Sequence, residues 1–280
     1  MNRKPGMRPL IPERLFGIIG YPLRHSLSPA VHNLAFCRLK LPYVYCAWPV
    51  LPESVNAFLD LMGLLPISGC SVTIPHKKKV AASCARLTEL AARIGAVNTL
   101  YWEAGVLCGE NTDCQGFQDP LRKLEFCPDS ALVLGTGGAA QACIVGLQEC
   151  GVQYITVAGR NREALKYLWQ SFGIRTVAWK DRLDSTAGLL VNTTPLGTAG
   201  ELVETSPYPG EALGRFRIVY DLVYNPLRTK LLAEAQKAGC CCISGLEMFV
   251  NQAAAQFRLW TGRDMPLERA RICARNHLAR

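Results

Sequence analysis

The stretch 132–140 constrains the fold more than any other part of the 280-residue chain. Leu132-Val133-Leu134 runs straight into Gly135-Thr136-Gly137-Gly138-Ala139-Ala140, a G-x-G-x-x-A pattern set between an apolar strand and the start of a helix. The first glycine of such a turn permits a tight bend. The second lets the backbone approach a pyrophosphate, and the small last residue lets helix and strand pack closely. A helix that begins there points free N–H groups and its positive end at the anion. Gly135, Thr136, Gly137, Gly138 and Ala139 are therefore candidate dinucleotide-binding residues. Glycine-rich turns are common, so the strand–turn–helix setting gives the pattern its weight.

The same alternation runs through the chain. Apolar runs of strand length at 15–20, 70–74, 97–102 and 106–109 accompany helix-length segments at 29–39 and 77–90. After a polar stretch around 123–130, strands follow at 131–135, 154–158, 176–179, 189–192 and 218–223. Strands separated by helix-length segments predict α/β units with parallel sheets. The break at 123–130 predicts two α/β domains with a cleft between them. Residues 12–122 plus 248–280 are expected to form a substrate-binding domain with a mostly parallel sheet, and 123–247 a Rossmann-like domain. The helices from about 246 onward have no strands of their own, so they are expected to pack back onto the first domain or close the cleft.

Composition narrows the partners. The formal charge is +9, but no basic block is interleaved with aromatic residues. The charge reads as a surface that draws in small anions rather than nucleic acid. No stretch reaches the ~18 uninterrupted apolar residues of a membrane span. The apolar run that follows Met1-Asn2-Arg3-Lys4 is too short for a signal peptide. The thirteen cysteines contain no Cys-x-x-Cys pair, which argues against a zinc site, and nothing marks the chain as secreted. Most of them are read as reduced, buried, small hydrophobes of a cytoplasmic protein, and no metal is expected.

The strand at 154–158 leads into Gly159-Arg160-Asn161-Arg162. An NAD site carries an acid there for the ribose 2′-hydroxyl. Two arginines stand in its place, and a guanidinium pairs bidentately with a phosphate and stacks on adenine. NADP is therefore favoured over NAD; the plain alternative is two solvated arginines at a helix start. Asn192-Thr193-Thr194-Pro195-Leu196-Gly197 follows another strand, at the edge where parallel sheets bind ligands. Thr193 is a candidate there, and an ordinary turn explains the stretch nearly as well.

Arg24-His25-Ser26-Leu27-Ser28-Pro29 opens the first helix. Ser28 suits an N-cap and Pro29 the first helical position. Two hydroxyls at a helix start also make a carboxylate site. Val72-Thr73-Ile74-Pro75-His76-Lys77 ends a strand and starts a helix. Lys77, Lys78 and Lys79 crowd its first turn, where the dipole disfavours cations. Repulsion and burial there favour a neutral amine, which makes Lys77 a candidate general acid and base. Lys78 and Lys79 read as solvated. Asp113, closing Gly109-Glu110-Asn111-Thr112-Asp113, is either a helix cap or the partner of Lys77 in a proton shuttle. Asn98 adds an amide at the same edge, and Gln252, in a late helix at 245–260, another polar group.

Taken in order, these pieces resemble the shikimate dehydrogenase family. The match rests on Ser26-Leu27-Ser28-Pro29, Val72-Thr73-Ile74-Pro75-His76-Lys77, Gly95-Ala96-Val97-Asn98-Thr99, Asn111-Thr112-Asp113 and the glycine-rich turn. Tyr220-Asp221-Leu222-Val223-Tyr224-Asn225-Pro226, Gly245-Leu246-Glu247-Met248 and Gln252-Ala253-Ala254 complete it, over about residues 14–262. The resemblance implies two α/β domains and reversible, NADP-dependent reduction of 3-dehydroshikimate to shikimate, a step toward chorismate and the aromatic amino acids. It implies that Lys77 and Asp113 are the catalytic pair. Ser26, Ser28 and Tyr224 would hold the substrate carboxylate, and Thr73, Asn98 and Gln252 the ring hydroxyls. Arg160, Asn161 and Arg162 would meet the 2′-phosphate; Leu222 and Gly245 would border the nicotinamide.

Two positions depart from the family. Cys114 stands where a small residue is usual, with an effect on packing or on sensitivity to oxidation. Gly159 stands where Asn or Ala is frequent, which removes a side-chain contact to the cofactor. A quinate or dual quinate/shikimate enzyme is the first rival. A ligand-sensing protein without turnover, or a dehydrogenase of a pterin or an amino acid, is less compatible with the full set. The sequence leaves the oligomeric state open, with a homodimer as the option carried forward.

Overall fold

The computed structural model describes residues 11–23, 26–124, 126 and 128–279. Met1 to Lys4, the pair Arg24-His25, and Glu125 and Cys127 of the polar stretch lie outside the described residues. Among the described residues the chain forms two six-stranded sheets. The first contains β1 (Arg14–Gly20), β2 (Tyr43–Pro49), β3 (Ile67–Val72), β4 (Arg86–Leu87), β5 (Thr99–Glu103) and β6 (Val106–Glu110), in the order β2-β1-β3-β5-β6-β4. β1 is parallel to β2 and β3, β5 is antiparallel to β3 and β6, and β4 is parallel to β6.

The second sheet is parallel throughout: β7 (Ser130–Leu134), β8 (Tyr154–Gly159), β9 (Arg175–Ala178), β10 (Leu189–Asn192), β11 (Ile218–Asp221) and β12 (Cys241–Ser244). Its order, β12-β11-β10-β7-β8-β9, begins in the middle, runs out through β8 and β9, then returns to the other side of β7. Strand order therefore reverses between β7 and β10, the place where open parallel sheets leave a crevice at the carboxyl ends of the strands. β10 and β11 are buried at every residue, as strands covered on both faces must be.

Ten α-helices accompany the strands among the described residues: α1 (Ser28–Arg38), α2 (Val55–Leu64), α3 (Lys77–Ser83), α4 (Glu89–Ile94), α5 (Thr112–Arg122), α6 (Gly138–Glu149), α7 (Arg162–Phe172) and α8 (Lys230–Lys237) between strands, then α9 (Gly245–Thr261) and α10 (Leu267–Leu278) after the last. The single helix expected at 77–90 is two. α3 stops at Ser83, Arg86-Leu87 pair with β6, and Thr88 starts α4 by accepting the Ala91 N–H on its hydroxyl at 3.1 Å. The strand expected at 70–74 begins at Ile67 and ends at Val72, with Thr73 already in a turn that accepts the His76 N–H. β2, α2 and β12 had no counterpart in the sequence reading.

Of the two placements expected for the late helices, packing onto the first sheet is the one found for α9, and α10 covers α1 and α9. Phe257, Trp260 and Met265 join Phe16, Phe36 and Tyr45 in one buried cluster. Trp260 Nε1 donates to the Leu100 carbonyl at 3.0 Å. α5 and α9 approach so closely that a Cβ at Gly116 would lie 2.7 Å from the Gln252 Cβ.

The cysteines correct one expectation. No disulfide joins those described, but only Cys70, Cys108, Cys114 and Cys143 are buried. Cys241 and Cys242 are exposed because β12 is an edge strand. Among the described residues no helix is long and apolar enough to cross a membrane, and no cluster of His, Cys, Asp or Glu has the grouping of a metal site.

Candidate active site

Lys77 leaves the end of β3 through the turn 73–76 and opens α3, whereas Asp113 sits in the first turn of α5. Asn111, not Asp113, caps α5: its Oδ1 accepts the N–H groups of Asp113 and Cys114. The Asp113 carboxylate is thereby left to face Lys77, and Lys77 Nζ donates to Asp113 Oδ2 at 2.5 Å. The lysine side chain is 17% exposed and the aspartate 8%, so the pair is shielded yet reachable from solvent. Lys78 and Lys79 are exposed; Lys78 lies over the Tyr167 ring and Lys79 donates to the Pro52 carbonyl.

Asp113 has a second partner. Asn98 Nδ2 donates to its Oδ1 at 2.8 Å and to Thr112 Oγ1 at 3.0 Å. Asn98 Oδ1 accepts the Thr112 N–H and the Thr99 hydroxyl. Asn98 thus spends its amide on the protein in this conformation, and a substrate hydroxyl must share one of these bonds. Thr73 is half-buried beside Gly20, where a Cβ would sit 2.3 Å from its methyl group. Gln252 is half-buried and donates to the Phe249 carbonyl at 2.9 Å.

Ser28 is the first residue of α1 rather than its cap, because Leu27 occupies that place without a side-chain bond. The Ser26 hydroxyl instead accepts the Ser28 N–H at 3.4 Å. Ser28 is 4% exposed. Tyr224 rests on Phe249 at 5.1 Å between ring centres, and burial holds its phenol above the usual range. Ser26 and Tyr224 remain half-covered.

On the other sheet, Gly135 has φ +114°, and a Cβ there would meet Thr193 Oγ1 at 2.4 Å. Thr193 donates its hydroxyl and its N–H to the Leu134 carbonyl, which pins the loop after β10 against the glycine turn. Gly137 caps α6, and a Cβ there would point into open space. The start of this twelve-residue helix is thus uncrowded on the Gly137 side, as a pyrophosphate at its N-terminus needs. Ala139 is half-covered in the first turn of α6. Gly138 closes the site from this side: a Cβ on it would lie 3.9 Å from Lys77 Cδ.

Asn161 caps α7 by accepting the Ala164 N–H, and Arg160 and Arg162 extend exposed beside it, as 2′-phosphate ligands would. Gly159 is explained by its neighbour, since a Cβ there would strike the Thr136 methyl at 2.4 Å. Asp221, the last residue of β11, is fully buried. It accepts from Asn192 Nδ2, the Val223 N–H and the Thr229 hydroxyl. Burial nevertheless pushes its carboxyl up to about 6. These bonds set the path of Leu222, whose carbonyl would lie 2.2 Å from a Cβ at Gly245; only glycine allows α9 to start there. Cys114 is a packing residue. It is fully buried, and burial with the nearby Glu149 carboxylate pushes its thiol up to about 12, far from a reactive thiolate.

Comparison with known proteins decides the family. The profile of the shikimate dehydrogenase substrate binding domain matches residues 18–100, and that of the shikimate 5′-dehydrogenase C-terminal domain matches 245–271. The chain is 46% identical over 260 residues to a protein of Maridesulfovibrio salexigens named shikimate dehydrogenase (NADP(+)), covering 93% of this chain and 96% of the relative. The chain belongs to the shikimate dehydrogenase family. Its fold matches that of shikimate 5-dehydrogenase from Thermus thermophilus in complex with NADP(H) and shikimate, with a TM-score of 0.86, 36% identity, and 95% and 100% of the two chains covered. A quinate dehydrogenase from Corynebacterium glutamicum in complex with NAD has a TM-score of 0.85 at 28% identity, covering 93% and 98%.

The structure brings Lys77, Asp113 and Asn98 together, with Gly138 against the lysine. It places Arg160, Asn161 and Arg162 at the head of α7. The sequence reading missed Gln256, which bonds to Thr99 and to the Asn98 carbonyl from α9. Its place one helical turn beyond Gln252 was the available signal.

Proposed function

We propose that Lys77 and Asp113 are the acid–base pair of an NADP-dependent shikimate dehydrogenase, which reversibly reduces 3-dehydroshikimate to shikimate. Membership of the family makes the chain an NADP-dependent oxidoreductase acting on a secondary alcohol. The observation that carries the residue assignment is the Lys77–Asp113 contact of 2.5 Å, with Gly138 of the cofactor turn on the other side of the lysine stem.

Bound NADPH supplies the hydride for the substrate carbon that bears the oxygen. Lys77 Nζ gives the proton to that oxygen during reduction and takes it back in the reverse direction. Asp113 holds the ammonium in place and balances its charge, and Asn98 fixes the carboxylate from its other oxygen. Ser26, Ser28 and Tyr224 receive the substrate carboxylate; Thr73, Asn98 and Gln252 receive the ring hydroxyls. Gly135, Thr136, Gly137, Gly138 and Ala139 cradle the pyrophosphate. Arg160, Asn161 and Arg162 meet the 2′-phosphate, and Thr193, Leu222 and Gly245 border the nicotinamide. In this proposal residues 12–122 plus 248–280 bind substrate and 123–247 bind cofactor. A cytoplasmic location, a homodimer and the lack of a nucleic-acid partner belong to the same reading.

The test is absorbance in the reduced-nicotinamide band with shikimate or quinate and NADP or NAD, in all four combinations. Fast reduction of NADP with shikimate alone is the expected result. Equal rates with quinate favour the dual enzyme, and no turnover by folded, dinucleotide-binding protein overturns the assignment.

A further inference from the structure

Behind Asp113 lies a chain of buried polar groups that the acid–base pair does not itself need. It runs from Tyr45 through Ser71, Gln256, Thr99 and Asn98 to the carboxylate, and none of these residues exceeds 4% exposure. The side chains come from β2, β3, α9 and the start of β5, so only the finished fold assembles them.

Two backbone groups fix the direction of every proton along it. The Thr112 N–H can only donate, so the Asn98 atom it meets at 2.8 Å is the oxygen, and the Asn98 amine must face Asp113. The Asn98 carbonyl can only accept, so the Gln256 atom at 3.0 Å from it is the amine, which leaves the Gln256 oxygen toward Ser71. Thr99 accepts from Gln256 Nε2 at 2.9 Å and so sends its one proton to Asn98 Oδ1 at 2.7 Å. Ser71 donates to Gln256 Oε1 at 2.8 Å and so accepts the Tyr45 hydroxyl at 2.6 Å.

We propose that Gln256 is a positioning residue for the reaction: it locks a one-way hydrogen-bond chain, Tyr45 to Ser71 to Gln256 to Thr99 to Asn98, that ends on Asp113 and holds its carboxylate toward Lys77. Every member donates in the same sense, so each bond polarises the next. With the Gln256 donors gone, the Thr99 hydroxyl is free to turn, and the Asn98 amide loses one of the contacts that decide which end faces Asp113. This role rests on the acid–base reading of Lys77 and Asp113.

The test compares variants under saturating shikimate and NADP, well below each melting temperature. Gln256→Met keeps the volume and removes both donors. It is expected to lower kcat by roughly ten- to a hundred-fold, the usual effect of a small misplacement at a reacting centre, while KM for shikimate and Kd for NADP change less than about two-fold. Thr99→Val, a near-isosteric loss of the relay hydroxyl, repeats the readout where Gln256→Met does not fold. Thr99→Ser, which keeps the hydroxyl, restores most of the lost kcat. Trp260→Phe, on the same helix, breaks its buried bond to the Leu100 carbonyl and costs melting temperature but not kcat. Wild-type kcat in Gln256→Met, or in Thr99→Val where that variant stands in, overturns the role. So does equal loss in Thr99→Ser and Thr99→Val, or an equal loss in Trp260→Phe. A wild-type protein without shikimate turnover overturns the role together with the functional reading, and so is told apart from failure of the role alone.

Discussion

The first turn of α5, which carries Asp113, is fixed by side chains; the first turn of α6, which begins at Gly138, is fixed by their absence. Around Asp113 both carboxylate oxygens take donors from elsewhere in the chain, Lys77 and Asn98, and the neighbouring N–H groups are taken by Asn98 and Asn111. Around Gly138 the neighbours of an added Cβ are the Ala96 methyl and the Lys77 methylenes, at 3.7–4.0 Å, and Gly137 opens onto empty space. The catalytic side needs a charge held at one angle, which takes hydrogen bonds. The cofactor side needs room for a large anion beside free N–H groups, which takes glycine. One site therefore has two failure modes: loss of orientation on one side, loss of access on the other.

Lys77→Ala breaks the comparison most severely. kcat should fall by roughly 10²–10⁴-fold, the usual worth of a general acid–base, with NADP affinity nearly unchanged by calorimetry. Near-normal kcat would take the lysine out of the mechanism.

His32 sharpens the comparison through pH. Its ring stacks on Tyr45 at 4.5 Å beside the polar chain, and neither nitrogen makes a hydrogen bond of good geometry. Burial lowers its pKa from 6.5 to about 3, and the nearby Gln256 side chain offsets this only in part. The unfolded chain therefore takes up a proton that the folded one refuses. This contribution to stability is complete above pH 6.5 and is lost as pH falls toward about 3. Its slope approaches about 1.4 kcal/mol per pH unit. His32→Phe should flatten that slope in urea titrations across the window; an unchanged slope would assign the acid sensitivity elsewhere.

On the cofactor side, replacing Arg160 and Arg162 together by Ala should weaken NADP by about ten- to a hundred-fold, the scale of lost charge-assisted bonds. NAD binding should stay as it was, and equal weakening of both cofactors would dismiss the 2′-phosphate role. The smallest effect distinguishes two glycines. Gly137→Ala should raise KM for NADP roughly ten-fold, about 1.4 kcal/mol, with little change in melting temperature. Gly135→Ala, forced to positive φ, should lose about 1–2 kcal/mol of stability. Similar losses of stability in both would erase the contrast between access and architecture.

The cofactor side was the more legible in sequence because its determinants are contiguous. The glycines, the strand before them and the helix after them occupy one short stretch, and each has a local reason to be there. Lys77 and Asp113 were legible as types and places, but their pairing depends on Asn111 taking the cap, which the stretch left open. The chain through Gln256 was not legible. It links residues 157 and 185 positions apart, and a glutamine on a helix reads as solvent-facing until the opposing sheet is known. The split of 77–90 into α3 and α4 was hidden likewise, because Arg86-Leu87 become a strand only through β6.

The packing of α9 on the first sheet, and of α10 on α1 and α9, has a consequence for synthesis. Phe16, Phe36 and Tyr45 leave the ribosome early, but their partners Phe257, Trp260 and Ala274 leave it near the end, after the whole second sheet. The nascent first sheet must wait with an open apolar face while the second sheet, whose strands are consecutive, is free to fold behind it. A released chain ending at Ser244 should hold a folded second sheet and a first sheet that still recruits chaperones.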